Sequence, residues 1–209
     1  MGKIDRVRIH EFSFEVPDIG LEQASAGVGN MAYVKGSSLT AHRFAVRIYS
    51  DDGASGEYVT HWVGTPASLA QSAMLAPLLL GRDPDRREQI YDDLKRELRA
   101  YDHMGQGVLD IALWDLAGKR LGTSVSRLLG GFRERLPTYA STYHGQLGPG
   151  GLNSPEAFAD FASECKEDGF AGFKIHGWND GDVNREIKNL RGVRARIGDS
   201  WRVMLDPAC

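Results

Sequence analysis

Apolar and polar positions alternate through the first part of the chain. Phe44, Val46 and Ile48 interleave with Arg43, Ala45 and Arg47, the period-two pattern of a strand with one buried face. Asp51-Asp52-Gly53 supplies a turn, and Glu57-Tyr58-Val59-Thr60-His61-Trp62-Val63 reads as the returning strand of an antiparallel hairpin. Lys3 to Phe14 is also strand-like. The Gly- and Ser-rich stretch from about Pro17 to Ser38 has no regular period. A loop of that length is expected to be a lid, a binding loop or a disordered segment.

The period then changes. Thr65-Pro66 is a helix start, followed at helical spacing by Met74, Leu75, Leu78 and Leu79. Asp83-Pro84 repeats the start signal, with Ile90, Leu94 and Leu98 facing inward. From Gly107 to Leu121 apolar residues occur on most sides, which predicts a buried helix ended by Gly122. Strands followed by helices describe an α+β unit.

From Leu136 strands and helices alternate. Thr138–Tyr143 is a short strand, and Ser154-Pro155 caps a helix with Phe158, Phe161, Ala162 and Cys165 on one face. Ala171–His176 is a strand. Asp182 caps a helix with Val183, Ile187, Leu190 and Ile197 on one side, and Trp201–Asp206 is a third strand. This β-α-β-α-β order predicts a parallel sheet with crossover helices. Either an open doubly wound sheet or a closed barrel would accommodate it. Pro137–Cys209 makes about two and a half such units, against the ~250 residues of a whole barrel, so an incomplete barrel or a chain needing a partner is expected.

Composition narrows the function classes. The chain has 209 residues, 42% hydrophobic and 25% charged, with a net charge of -3. Nothing here suits a polyanion or a membrane surface, so neither nucleic acid nor membrane is an expected partner. Two cysteines, Cys165 and Cys209, make no disulfide framework, and a reducing, cytoplasmic setting is expected.

The chemistry gathers at the last strands. In a strand, Lys174 and His176 point to one face and Ile175 to the other, while Phe173 and Ile175 are expected to face the helix layer. Two solvated basic residues at a strand end are one reading. A site is the other, because turning Lys and His toward the interior is unfavourable unless acidic groups or an anion meet them. Asp206 ends the next strand, where parallel α/β folds collect ligand-binding groups, although an Asp before Pro207 also suits a turn. His144 follows the first of these strands in a Gly-rich loop and is a candidate substrate contact. Gly27-Val28-Gly29-Asn30 lacks the third glycine and the helix of a dinucleotide fingerprint. Asn179-Asp180-Gly181-Asp182 lacks the closing Glu of a calcium loop and reads as a turn and cap.

Taken with this order of parts, Gln106-Gly107-Val108-Leu109-Asp110-Ile111-Ala112-Leu113-Trp114-Asp115-Leu116-Ala117-Gly118-Lys119, Leu128-Leu129-Gly130-Gly131, Gly172–His176 and Val203–Asp206 resemble the enolase superfamily, in its mandelate racemase and muconate lactonizing branch. The resemblance implies an α+β N-terminal capping domain over residues 1–135. It implies the first part of a TIM-like (β/α)7β barrel over residues 136–209. It also implies Mg2+ held by three carboxylates, of which Asp206 matches the first, the other two being expected beyond Cys209. Lys174 matches the first Lys of a Lys-x-Lys strand end, and His176 departs from the second. The implied reaction is removal of the proton α to a carboxylate through an enediolate. The base is either His176, neutral near pH 7, or Lys174 with a lowered pKa; His176 is the expected proton-transfer group, with Lys174 holding the substrate carboxylate. Dehydration of a sugar acid is the leading reaction, racemisation or epimerisation the second. Lactone chemistry comes third. A small-molecule carboxylate substrate and a homo-oligomer follow from the same resemblance. For these 209 residues alone, a non-catalytic fragment or assembly module is the alternative, and they are expected to be inactive by themselves.

Overall fold

The structure is a computed structural model and describes residues 2–23, 29–61, 65–178 and 180–207. Gly27, Val28, Trp62, Val63, Asn179 and Cys209, which figure in the sequence readings, lie outside the described residues. The chain forms two compact units, one of Met1–Phe14 with Ala41–Glu134 and one of Glu15–Thr40 with Arg135–Cys209.

The first unit is α+β. Strands β1 (Ile4–Gln23), β2 (Gly29–Ser50) and β3 (Ser55–Val59) form a sheet in that order, the part of β1 and β2 within Glu15–Thr40 belonging to the second unit. β2 and β3 are antiparallel with Ala45 opposite Val59 and Tyr49 opposite Ser55, around the expected turn at Gly53. Phe44, Val46 and Ile48 are fully buried. Helices α1 (Thr65–Leu75), α2 (Arg87–Glu97) and α3 (Met104–Leu121) follow, with a 3-10 turn at Ala76–Leu79 and a short α4 (Val125–Leu128). Leu75, Leu79, Ile90, Leu94 and Leu98 join the core. Met74 and Leu78 are exposed instead, because they lie off the stripe that meets the core. The helix announced by Asp83-Pro84 starts at Arg87; Asp83 first accepts from the Asp85 amide in a turn. α3 buries Leu109, Leu113 and Leu116 while Ile111 stays exposed, and Gly122 ends it at φ 61°, in the left-handed region where glycine avoids a Cβ clash. β3 lies so close to α3 that a Cβ on Gly56 would sit 2.1 Å from the Ala112 carbonyl oxygen.

The expected loop from Pro17 to Ser38 is corrected: its described residues belong to β1 and β2. β1 and β2 are neighbours in the sheet here without an alternating apolar face, and polar side chains link them. The Gly36 amide donates to Asp18 Oδ1 (2.7 Å), and Thr40 Oγ1 donates to Glu15 Oε1 (2.6 Å). Asp18 and Gly36 both take positive φ.

The second unit holds the parallel sheet β4-β5-β6, made of β4 (Ala140–Ser141), β5 (Gly172–His176) and β6 (Arg202–Asp206). The Thr138–Tyr143 strand shrinks to Ala140–Ser141. Crossover helices α5 (Pro155–Glu167) and α6 (Val183–Ile197) start at the two expected caps. Ser154 Oγ accepts from the Ala157 amide, and Asp182 Oδ1 accepts from the Arg185 amide. Phe158, Ala162, Phe173, Ile175 and Val193 form the core, with Cys165 buried beside them. On α6, Asn189, Val193 and Ile197 are buried whereas Val183 and Ile187 are exposed, so the buried stripe is turned from the one expected. The α+β unit followed by β/α repeats is the expected fold class.

Candidate functional site

Phe173 and Ile175 are fully buried against the helices, so alternation along β5 sends Lys174 and His176 to the opposite face. β5 pairs in parallel with β6, and His176 lies opposite Asp206. All three are at or near the C-terminal ends of their strands, the edge where parallel α/β folds assemble sites.

One carboxylate oxygen joins them. Lys174 Nζ lies 3.0 Å from Asp206 Oδ2, and His176 Nε2 lies 3.2 Å from the same atom. The hydrogen bond to Asp206 holds the Lys174 ammonium above its ordinary pKa; burial opposes this, and Tyr139, whose ring centroid is 5.5 Å from Nζ, adds to it. The side chains remain roughly a quarter to a third exposed. An ion pair so placed contributes about 1 kcal/mol or less to stability. The cluster is therefore poorly explained as a device for holding the fold together.

Thr142, directly after β4, supplies the floor of the ring. His176 Nδ1 lies 2.8 Å from the Thr142 carbonyl oxygen, and the His176 amide donates to Thr142 Oγ1 at 2.9 Å. Ser141 Oγ is more distant, at 3.5 Å from the same ring nitrogen. His144 meets His176 edge to face, with ring centroids 5.3 Å apart. Its Nδ1 lies 3.2 Å from the Gly177 carbonyl oxygen. Burial pushes the His144 pKa down, partly offset by that hydrogen bond. His144 is half-buried: its amide donates to the Met31 carbonyl at 3.0 Å, in a bridge that pairs Ala32 with His144. Tyr33 packs beside it against Tyr143 and Phe161, and burial raises the Tyr33 hydroxyl pKa. The loop after His144 is pinned by Trp178, whose Nε1 donates to the Gln146 carbonyl at 2.9 Å.

All four residues singled out in the sequence thus come together: Lys174, His176 and Asp206 in direct contact, His144 against the His176 ring. Thr142, Tyr139 and Gly177 were not legible. Gly177 acts through its main-chain carbonyl, which any residue carries, Thr142 acts through its carbonyl and hydroxyl from the neighbouring strand's end, and Tyr139 precedes the paired part of its strand. Elsewhere, Asp180, in the stretch read as a turn before the α6 cap, forms an ion pair with Arg185. Among the described residues no group of three or more His, Cys, Asp and Glu side chains is placed to hold a metal ion. Asp206 is one hard oxygen donor, and a magnesium site needs more than one, so these residues do not by themselves complete such a site.

Comparisons with known proteins bear on this arrangement. Residues 29–130 match the family described as mandelate racemase / muconate lactonizing enzyme, N-terminal domain. D-galactarolactone cycloisomerase of Agrobacterium fabrum is 31% identical over 98% of this chain and 51% of its own length. L-talarate/galactarate dehydratase of Salmonella typhimurium is 29% identical over 76% of this chain and 40% of its own. Among solved structures, D-glucarate dehydratase from Agrobacterium tumefaciens, complexed with magnesium, superposes with a TM-score of 0.82 at 28% identity, covering 98% of this chain and 53% of that one. The chain spans about half the length of the relatives it matches. Sequence along nearly the whole chain and fold in both its units agree, and the chain belongs to the mandelate racemase / muconate lactonizing enzyme branch of the enolase superfamily.

Proposed function

We propose that the chain carries part of the active site of an enzyme that removes the proton α to the carboxylate of a sugar acid and completes a dehydration through an enediolate. The supporting observation is the convergence of Lys174 Nζ and His176 Nε2 on one oxygen of Asp206 at the strand ends. Nε2 of His176 takes the α-proton. Lys174 binds the substrate carboxylate, and its ammonium, held charged by Asp206, offsets the negative charge that develops on the carboxylate oxygens. His144, beside the His176 ring, contacts the substrate. Asp206 is one ligand of Mg2+, with the two further carboxylates expected outside residues 1–209. When bound, Mg2+ supplies charge neutralisation for the enediolate.

The relatives' names support a sugar-acid substrate class. The 31% identity to a galactarolactone cycloisomerase favours cycloisomerisation as a second reading. A cytoplasmic homo-oligomer remains part of the proposal. Among the described residues no helix is long and apolar enough to cross a membrane.

The test is a screen of acid sugars and their lactones with Mg2+, using the longest natural product that contains these residues. Loss of water supports dehydration; an isomer of unchanged mass supports the second reading. Near wild-type turnover and α-proton exchange in His176→Ala would refute the role given to His176.

A further inference from the structure

We infer that Glu186 is a positioning residue for His144. It acts through one peptide group, the one between Gly177 and Trp178, and so sets where the His144 ring stands beside the site. The functional meaning rests on the proposed contact of His144 with substrate. The physical basis rests on the hydrogen bonds of that peptide alone.

The peptide is held at both ends. Its N–H, carried by Trp178, donates to Glu186 Oε1 at 2.7 Å. Its carbonyl, carried by Gly177, accepts from the Gly145 amide at 3.0 Å and lies 3.2 Å from His144 Nδ1. A hydrogen bond to a carboxylate is among the shorter and stronger kinds. It polarises the peptide, which makes the carbonyl at the other end a better acceptor. The peptide is also planar, so fixing its N–H fixes the direction of its carbonyl. Glu186 thereby reaches His144 and Gly145 through a single rigid unit.

Two observations set this carboxylate apart from an ordinary helix side chain. Glu186 stands in the first turn of α6, yet its Oε2 is buried and has no hydrogen-bond partner among the described residues. The adjacent Arg185 is engaged elsewhere, paired with Asp180 and lying over the Trp178 ring at 4.9 Å. Burying a carboxylate oxygen without a partner is unfavourable, so stability is a poor explanation for the placement. The second observation is Gly177 itself. A Cβ there would overlap both Glu186 carboxylate oxygens, so the absence of a side chain is what lets the carboxylate reach the peptide.

Amide hydrogen exchange of the 209-residue chain, resolved at single residues, tests the positioning. In the wild type the Trp178 and Gly145 amides are expected to exchange slowly. Glu186→Ala should speed exchange at Trp178 by roughly tenfold or more and at Gly145 by roughly two- to tenfold. Glu186→Gln keeps an acceptor oxygen and should restore most of the protection at both. The Thr142 amide, which donates to the Lys174 carbonyl in the same unit, should be unchanged. Gly177→Ala, which ousts the carboxylate without removing it, should reproduce the Glu186→Ala pattern and serves if Glu186→Ala does not fold. Fast exchange at either amide in the wild type, unchanged exchange at Gly145 in Glu186→Ala, or an equal rise at Thr142 would overturn the inference. In the active enzyme, Glu186→Ala should raise KM for the acid sugar more than it lowers kcat, and should raise it little further once His144 is alanine. Fully additive effects of the two substitutions would overturn the positioning role. A His144→Ala enzyme with wild-type KM would remove the substrate contact instead, while the exchange data still decide the clamp.

Discussion

Gly145→Ala tests how tightly the loop beside the candidate site is held. A Cβ added to Gly145 would lie 2.7 Å from Cδ2 and Cε2 of Trp178 and 3.0 Å from its Cγ. Favourable carbon–carbon contacts lie near 3.5–4.0 Å, so the shortfall is roughly 1 Å. Trp178 has little freedom to yield. It is 4% exposed, its Nε1 donates to the Gln146 carbonyl, its amide donates to Glu186 Oε1 at 2.7 Å, and its ring is 5.2 Å from that of Phe158. The loop must move instead, carrying the adjacent His144. Overpacking of this kind costs ~1–3 kcal/mol. At ~2–4 °C per kcal/mol for a chain of this size, the melting midpoint should fall by roughly 2 to 12 °C. Thermal unfolding followed by circular dichroism measures it, and the near-ultraviolet tryptophan signal should change with it. Gly107→Ala is the matched control. An added Cβ there meets nothing within 4 Å, and the position is inside α3, so the same substitution should stabilise by about 0.5–1 kcal/mol. A Gly145→Ala chain that melts at or above the wild type with an unaltered tryptophan signal would refute the reasoning. If the loop matters for catalysis, a displacement of ~1 Å should lower kcat of the active enzyme by as much as ~100-fold.

Three further outcomes are expected. Phe173→Ala removes a fully buried ring that packs against Phe161 and Trp201, and should destabilise by ~3–5 kcal/mol in denaturant unfolding. Ser154→Ala removes the α5 cap, at a cost of ~1 kcal/mol, and should accelerate hydrogen exchange at the Ala157 amide while leaving α3 unaffected. Asp110 has its carboxyl pKa raised, first by burial and then by the nearby Glu88, with Arg87 opposing. A raised folded-state pKa stabilises the protein below the unfolded value and loses that contribution as pH rises through the folded value. Asp110→Asn should therefore raise the melting midpoint at pH 7 and lose the advantage under acid conditions. An equal gain at both pH values would mean that charge is not the cause.

Periodicity carried much of the fold because each element's buried face repeats at its own spacing. Phe44, Val46 and Ile48 announced β2, and the caps Ser154 and Asp182 marked the starts of α5 and α6. The continuation of β1 and β2 through Pro17–Ser38 was not legible. Its strands are linked by polar side chains, Glu15 accepting from Thr40 and Asp18 from the Gly36 amide, where a half-buried strand would show alternating apolar residues. Helical spacing also left open which apolar residues would find a partner: Leu75 and Leu79 are buried, while Met74 and Leu78 of the same run are not.

That Lys174 and His176 share one face of a strand follows from the residue order alone, because side chains alternate along any extended backbone. The same order puts a carboxylate at the end of the following strand, and with the helical motif it places the chain in its superfamily. Folding adds that Asp206 lies opposite His176, that one of its oxygens meets both basic groups, and that the Thr142 carbonyl lies against the imidazole. Those relations depend on the register between strands. It is settled by hydrogen bonds between residues some thirty positions apart in the chain, a separation over which the alternation within a single strand carries no information.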